Sequence, residues 1–227
     1  MGAIRCATAQ FQHRASDKAH NLAVIERFAE DAARRGAQIV AFPEMCVTGY
    51  WHVRNLDRKS IEALAEAVPS GRSVETLAHL AKRFGLAVGA GLIEQDEDDR
   101  LCNTYVVALP DGQVQSHRKL HAFENECISS GDRFTVFDTP WGVRAAILIC
   151  WDNNLVENVR ICALLGADLL IAPIRPADAP REARTRWGSS IAAYGGGAMK
   201  IRRRLKRNSE GRRVVNGLCA GYPPAQF

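Results

Sequence analysis

The sequence lacks any apolar run long enough to cross a membrane. Its first residues, Met1 to Arg5, also lack the apolar core of a secretory signal peptide. We therefore expect a cytoplasmic protein. Apolar residues make up 47% of the 227 positions and charged residues 24%, which is typical of an ordinary globular protein with one large domain or two small ones.

Paired cysteines are also missing. The seven cysteines are odd in number and scattered, no two of them form Cys-x-x-Cys, and no cluster of Cys and His has the spacing of a zinc site. We interpret them as reduced and mostly structural thiols, and we expect no metal.

Strand and helix patterns alternate along the chain. Residues 3–10, 21–35 and 37–42 predict a strand, an amphipathic helix and a buried strand, so the two strands should be parallel with a right-handed crossover. Later patterns predict helices at 60–67, 73–84 and 154–165, and strands at 86–93, 103–109, 113–119, 133–137, 143–149 and 167–173. The alternation predicts an α/β fold.

Cys150 lies between a predicted buried strand, which includes Ala145 to Ile149, and a predicted helix that Gly166 closes. In α/β proteins ligands collect at the carboxyl ends of strands. The N–H groups of a following helix can lower a thiol pKa or bind an oxyanion. The position favours a nucleophile, although a buried core cysteine is the common alternative.

Glu44 and Lys119 also lie at the carboxyl ends of predicted strands. Taken alone, Glu44 could be a solvated residue at the rim and Lys119 a surface ion-pair partner. Together with Cys150, they supply a complete set of groups for acyl transfer. The carboxylate accepts protons, the ammonium stabilises an oxyanion and the thiol attacks carbon.

Three stretches resemble the carbon–nitrogen hydrolase (nitrilase) superfamily. They are Phe42-Pro-Glu-Met with Thr48-Gly-Tyr, Arg118-Lys-Leu-His-Ala-Phe, and Ile149-Cys-Trp-Asp, and their order and spacing fit that superfamily. The resemblance implies a four-layer α-β-β-α sandwich, no cofactor, a homodimer or larger homo-oligomer, and hydrolysis of a non-peptide carbon–nitrogen bond through a thioester.

The resemblance also assigns roles to residues of this chain. Glu44 would be the general base, Lys119 the oxyanion stabiliser and Cys150 the nucleophile. Glu126 would be the second active-site glutamate, and the backbone N–H of Trp151 would help to bind the oxyanion. Asp152, two residues after the cysteine, favours a small amide or N-carbamoyl substrate over a nitrile.

The resemblance covers residues 1–173 and then stops, at a change in charge. Residues 1–173 carry 18 Lys and Arg against 22 Asp and Glu, whereas residues 174–227 carry 12 against 3. If one nucleotide were lost near the Pro173 codon, much of the tail could be back-read into a sequence typical of bacterial nitrilase-family proteins. We therefore interpret residues 174–227 as a frameshifted and poorly structured tail that leaves the hydrolase domain of residues 1–173 incomplete.

Such a tail would leave strand faces uncovered and a sheet edge open, and we expect low solubility or aggregation, with weak or absent hydrolase activity. Two alternatives stay open. The chain could be an inactive pseudoenzyme of the same fold, or its basic tail could bind nucleic acid, although the tail lacks the interleaved aromatic residues of single-strand binders.

Overall fold

The computed structural model describes residues 4–175 in full and, farther along, the backbone of four strands at 184–186, 197–200, 203–207 and 213–218. The helices are α1 (Lys18–Arg34), α2 (Arg58–Leu64), α3 (Arg72–Phe84) and α4 (Val156–Leu164). The strands are β1 (Cys6–Gln10), β2 (Ile39–Ala41), β3 (Ala87–Gln95), β4 (Leu101–Ala108), β5 (Val114–Arg118), β6 (Ile128–Ser129), β7 (Thr135–Asp138), β8 (Arg144–Ile147), β9 (Leu169–Ala172), β10 (Arg184–Arg186), β11 (Gly197–Lys200), β12 (Arg203–Arg207) and β13 (Arg213–Leu218).

The strands form two main sheets. The larger has the order β10-β1-β2-β3-β4-β5, with β6 paired to β4. β1 and β2 run parallel as the sequence predicts, and β3 also runs parallel to β2. The smaller has the order β11-β9-β8-β7, in which β8 and β9 are parallel. The β12–β13 pair forms a separate hairpin.

The two sheets pack face to face, and the helices cover their outer faces. Apolar residues such as Ile39 and Val107 of the larger sheet share a core with Ile147 and Ile171 of the smaller one. On the other side of the larger sheet, α1 and α3 cover a second core, and α4 covers the outer face of the smaller sheet. These layers form the predicted α-β-β-α sandwich.

The helices follow from local sequence signals. Asp17 and Asp57 cap α1 and α2 by accepting backbone N–H bonds from residues three positions farther on, and Gly85 ends α3 in the left-handed conformation. The helix predicted at 60–67 lies at 58–64 because Asp57 supplies its cap. No helix among the described residues is long and apolar enough to span a membrane.

The predicted tail lies mainly outside the described residues. Its described strands include β10, which pairs antiparallel with β1, and β11, which pairs antiparallel with β9. Both main sheets therefore gain a strand from residues beyond Pro173.

Candidate active site

Glu44 is positioned by a close approach of two backbone segments. The chain leaves β2 through Phe42 and Pro43 and passes over β3, where Val47 N–H donates to the Gly91 carbonyl at 3.0 Å. A Cβ at Gly91 would lie 2.3 Å from the Met45 nitrogen, so only glycine leaves room for this path. Met45 itself has φ +48°, which turns the chain immediately after Glu44.

Lys119 follows β5 and is fully buried beside Glu44. Its backbone N–H donates to the Asn103 carbonyl at 2.8 Å, and its carbonyl accepts from Gly131 N–H at 2.7 Å. Its ammonium donates to Glu44 Oε1 at 2.8 Å and also to Glu124 Oε1. Lys119 is therefore the cation between two buried carboxylates rather than a surface ion-pair partner.

Cys150 lies where the sequence predicts, between strand β8 and helix α4. A short 3₁₀ turn, Cys150–Asn154, starts at the cysteine and precedes α4. The Cys150 N–H donates to the Pro173 carbonyl at 2.7 Å, and its φ of +47° is unusual for a residue with a side chain. This strained turn leaves the side chain partly accessible.

The charge states of Glu44 and Lys119 depend on each other. Burial raises the pKa of Glu44 to about 7, although Lys119 opposes the shift. Burial alone would lower the pKa of Lys119, but the carboxylates of Glu44 and Glu124 outweigh it and hold that pKa above its usual value. Glu44 can therefore exchange a proton near neutral pH while Lys119 stays charged.

The thiol does not have the low pKa that a following helix was expected to cause. Burial, and then the Glu44 carboxylate, raise the pKa of Cys150 to about 11. Burial is the larger of these two causes, and helix α4 begins only at Val156 instead of directly after the cysteine. The thiol needs a base, and Glu44 is close enough to influence it electrostatically.

Two supporting residues escaped the sequence analysis. Asn103 on β4 donates its side-chain N–H to Glu44 Oε1 at 2.8 Å, and its backbone carbonyl accepts the backbone N–H of Lys119. It therefore bridges the two residues. Glu124 is the carboxylate that contacts Lys119, whereas Glu126 is exposed. Lys119 thus contacts Glu124 and not Glu126, because the turn after Phe123 directs residue 124 inward and residue 126 outward.

A cavity of about 330 Å³ adjoins the site at Glu124 and is also lined by Tyr50, Arg54 and Phe123. The Trp151 and Phe123 side chains are about half exposed and form an edge-to-face pair with 6.2 Å between ring centres. Residues 4–175 contain no group of three or more His, Cys, Asp and Glu side chains placed to hold a metal ion.

Known proteins are similar to this chain in sequence or in fold. The omega-amidase NIT2-B of Xenopus laevis is 35% identical over 168 residues, which cover 69% of this chain and 58% of that protein. The fold of Nit3 from Saccharomyces cerevisiae, a nitrilase-superfamily member, matches with a TM-score of 0.67 at 28% identity over 75% of this chain and 64% of Nit3. A variant of the Nesterenkonia sp. AN1 amidase, solved in complex with butyramide, matches with a TM-score of 0.63 at 25% identity over 76% of this chain and 65% of that one.

This chain therefore spans less than two thirds of the length of these three relatives. The carbon-nitrogen hydrolase family model matches residues 5–196, and so extends beyond Pro173, where the sequence motifs end. On this match, and on the shared sandwich, the chain belongs to the carbon–nitrogen hydrolase family of the nitrilase superfamily.

Proposed function

We propose that this protein hydrolyses the carbon–nitrogen bond of a small amide through a thioester on Cys150. The observation that carries the proposal is the buried Glu44 carboxylate, with a pKa of about 7, hydrogen-bonded to the Lys119 ammonium and electrostatically coupled to the Cys150 thiol. A weak base, a fixed cation and a nucleophile in one cleft match the needs of acyl transfer.

In the first half-reaction, Glu44 accepts the thiol proton as Cys150 sulfur bonds to the amide carbon. The Lys119 ammonium and the backbone N–H of Trp151 stabilise the resulting oxyanion. Glu44 then gives its proton to the nitrogen, the carbon–nitrogen bond breaks, and ammonia or an amine leaves a thioester on Cys150.

In the second half-reaction, Glu44 accepts a proton from water as the water oxygen attacks the thioester carbon. The carbon–sulfur bond breaks, the thiolate regains the proton from Glu44, and the carboxylic acid departs. Glu124 takes the position that the resemblance assigned to Glu126, and it supports the cycle by keeping Lys119 fixed and charged.

A short aliphatic amide is the substrate we favour. The cavity is small, and its two aromatic residues, Tyr50 and Phe123, offer surface to an apolar chain of a few carbons. The charged side chains of Arg54 and Glu124 line the same cavity and offer polar partners to the amide. The relatives named above include an omega-amidase and an amidase bound to butyramide. N-carbamoyl compounds and nitriles are the alternative substrates.

Ammonia release from butyramide tests the proposal. Cys150→Ala should reduce turnover by about 10⁴-fold or more, because no other group replaces the nucleophile. Cys127→Ser is the matched control, since Cys127 packs against an apolar cluster, with Ile61 and Leu101, that contains no triad residue. Equal turnover by the unaltered chain and Cys150→Ala, or a lack of any acyl-enzyme on Cys150 by mass spectrometry while ammonia is released, would refute the thioester route.

We also propose that residues 174–227 are an out-of-frame continuation. The contacts that residues 173–175 make with the triad use backbone atoms: the Pro173 and Ile174 carbonyls accept from Cys150 and Glu44, and the Arg175 N–H donates to the thiol. A change of side chains there leaves these bonds possible, so a damaged tail would weaken the sheets before it disturbed the triad.

Sequencing the DNA across the Pro173–Ile174 codons tests that idea. An open alternative frame with a nitrilase-like continuation would support it, and that longer chain should then be more soluble and more active than this one. Absence of such a frame would refute it. DNA binding that weakens steeply with salt would then favour the nucleic-acid alternative.

A further inference from the structure

Asp152 lies directly behind the triad, and its carboxylate is fully buried. Oδ2 accepts the backbone N–H of Leu120 at 3.1 Å and of Ile149 at 3.3 Å. Oδ1 accepts the backbone N–H of His121 and its ring Nδ1, each at 3.0 Å. Four donors thus converge on one carboxylate.

Three of these donors are backbone groups beside the residues that carry the chemistry. Leu120 follows Lys119, and Ile149 precedes Cys150. The two segments follow strands of different sheets, since Lys119 follows β5 in the larger sheet and Ile149 follows β8 in the smaller one. Asp152 is therefore a bridge that sets the distance between the ammonium and the thiol.

The bridge is electrostatically favourable in its charged form. Burial alone would raise the pKa of Asp152, but the imidazoles of His117 and His121 and the Leu120 N–H outweigh it and hold that pKa below its usual value. A second bond anchors the residue from its other side, because Asn158 donates to the Asp152 carbonyl at 3.0 Å.

We propose that Asp152 is a positioning residue that fixes the Lys119 turn against the Cys150 turn through its carboxylate. This inference rests on the proposed function only where turnover is measured, and the alkylation measurement below does not depend on it. Asp152 reaches the reaction through backbone atoms, so its loss should slow the chemical step more than it weakens substrate binding.

Asp152→Asn is the main test because it keeps the size of the side chain. The carboxamide would present an NH₂ group to at least one pair of N–H donors, and that pair would separate. We expect kcat for butyramide to fall about 30-fold with KM unchanged within about threefold. The rate of Cys150 alkylation by iodoacetamide, followed on the Cys150 peptide by mass spectrometry, should fall about tenfold.

Glu66→Gln is the matched control. Glu66 is also a largely buried carboxylate that joins separate elements, since it accepts from Lys18 of α1 and from Ser73 of α3. We expect it to lower the melting temperature as Asp152→Asn does, with turnover and alkylation within about twofold of the unaltered chain.

If Asp152→Asn does not fold, His121→Ala replaces it. That variant removes one of the four donors and keeps the backbone bonds, and Cys150 alkylation should slow about threefold. Alkylation at the unaltered rate in a folded variant would overturn the proposal, as would equal slowing in Glu66→Gln. Alkylation does not require turnover, so a chain that hydrolyses no amide would refute the proposed function and leave the test of Asp152 intact.

Discussion

The two sides of the site differ in their exposure to solvent. On the larger sheet, Glu44 and Lys119 have no exposed side-chain surface. On the smaller sheet, Cys150 is partly exposed, and Trp151 beside it is half exposed. The charged pair is therefore shielded from solvent, whereas the thiol is accessible to molecules in solution.

Removing the buried cation should cause the largest loss of stability among the substitutions proposed below. Lys119→Met would leave the carboxylates of Glu44 and Glu124 facing each other without a counter-charge. We expect a loss of about 3–5 kcal/mol in the free energy of unfolding, measured by urea denaturation near neutral pH.

Lys18→Met serves as the control for that variant. Lys18 also pairs with a carboxylate, that of Glu66 at 2.6 Å, but its side chain is 28% exposed. We expect a loss of about 1 kcal/mol or less. Equal losses in the two variants would show that burial does not distinguish the two pairs.

The dependence of kcat/KM on pH should sharpen the contrast further. Glu44 must be ionised to accept the thiol proton, and its pKa is about 7. Activity should therefore rise about tenfold per pH unit below 7 and level off above it. A rise centred near pH 4.5, the usual range of an exposed glutamate, would contradict a buried base.

Gly91→Ala tests whether the close approach of the Glu44 segment to β3 is needed for stability and activity. The added Cβ would meet the Met45 nitrogen at 2.3 Å and push the Glu44 segment away from β3. We expect a loss of about 1–3 kcal/mol in stability and a fall in kcat. Gly85→Ala, where nothing lies within 4 Å but φ is +67°, should cost about 1–2 kcal/mol and leave kcat unchanged.

The smallest effect is expected at Glu126. Because its side chain is exposed, Glu126→Gln should change stability by less than about 0.5 kcal/mol and butyramide turnover by less than about twofold. Glu124→Gln should reduce turnover clearly, since it weakens the contact with Lys119. The opposite ranking in a side-by-side assay would restore Glu126 as the second glutamate.

Sequence patterns were sufficient for the alternation of strands and helices, and the family resemblance supplied the four layers. Pro43 marks where the strand before Glu44 ends, and Gly166 marks where the helix after Cys150 ends. Glu44, Lys119 and Cys150 lie one to three residues after the ends of β2, β5 and β8. The supporting residues were harder to predict. Asn103 lies inside a strand of buried residues, and nothing local shows that its amide faces a carboxylate 59 positions away.

The contrast between Glu124 and Glu126 has a similar cause. Glu124 and Glu126 lie two residues apart in an irregular turn, where no helix or strand period decides which side chain points inward. Only the position of Lys119, fixed by Asn103 and Gly131, selects Glu124. Tertiary contacts therefore determine which glutamate contacts Lys119, and motif spacing alone does not.

The division of the site between two sheets also bears on how the protein folds. Glu44 and Lys119 are 75 positions apart, and Cys150 joins them only when the core between the sheets has closed. Contacts of such long sequence separation form late and slowly. During refolding, far-UV circular dichroism should recover before the reactivity of Cys150, so the thiol would report the final docking of the two sheets.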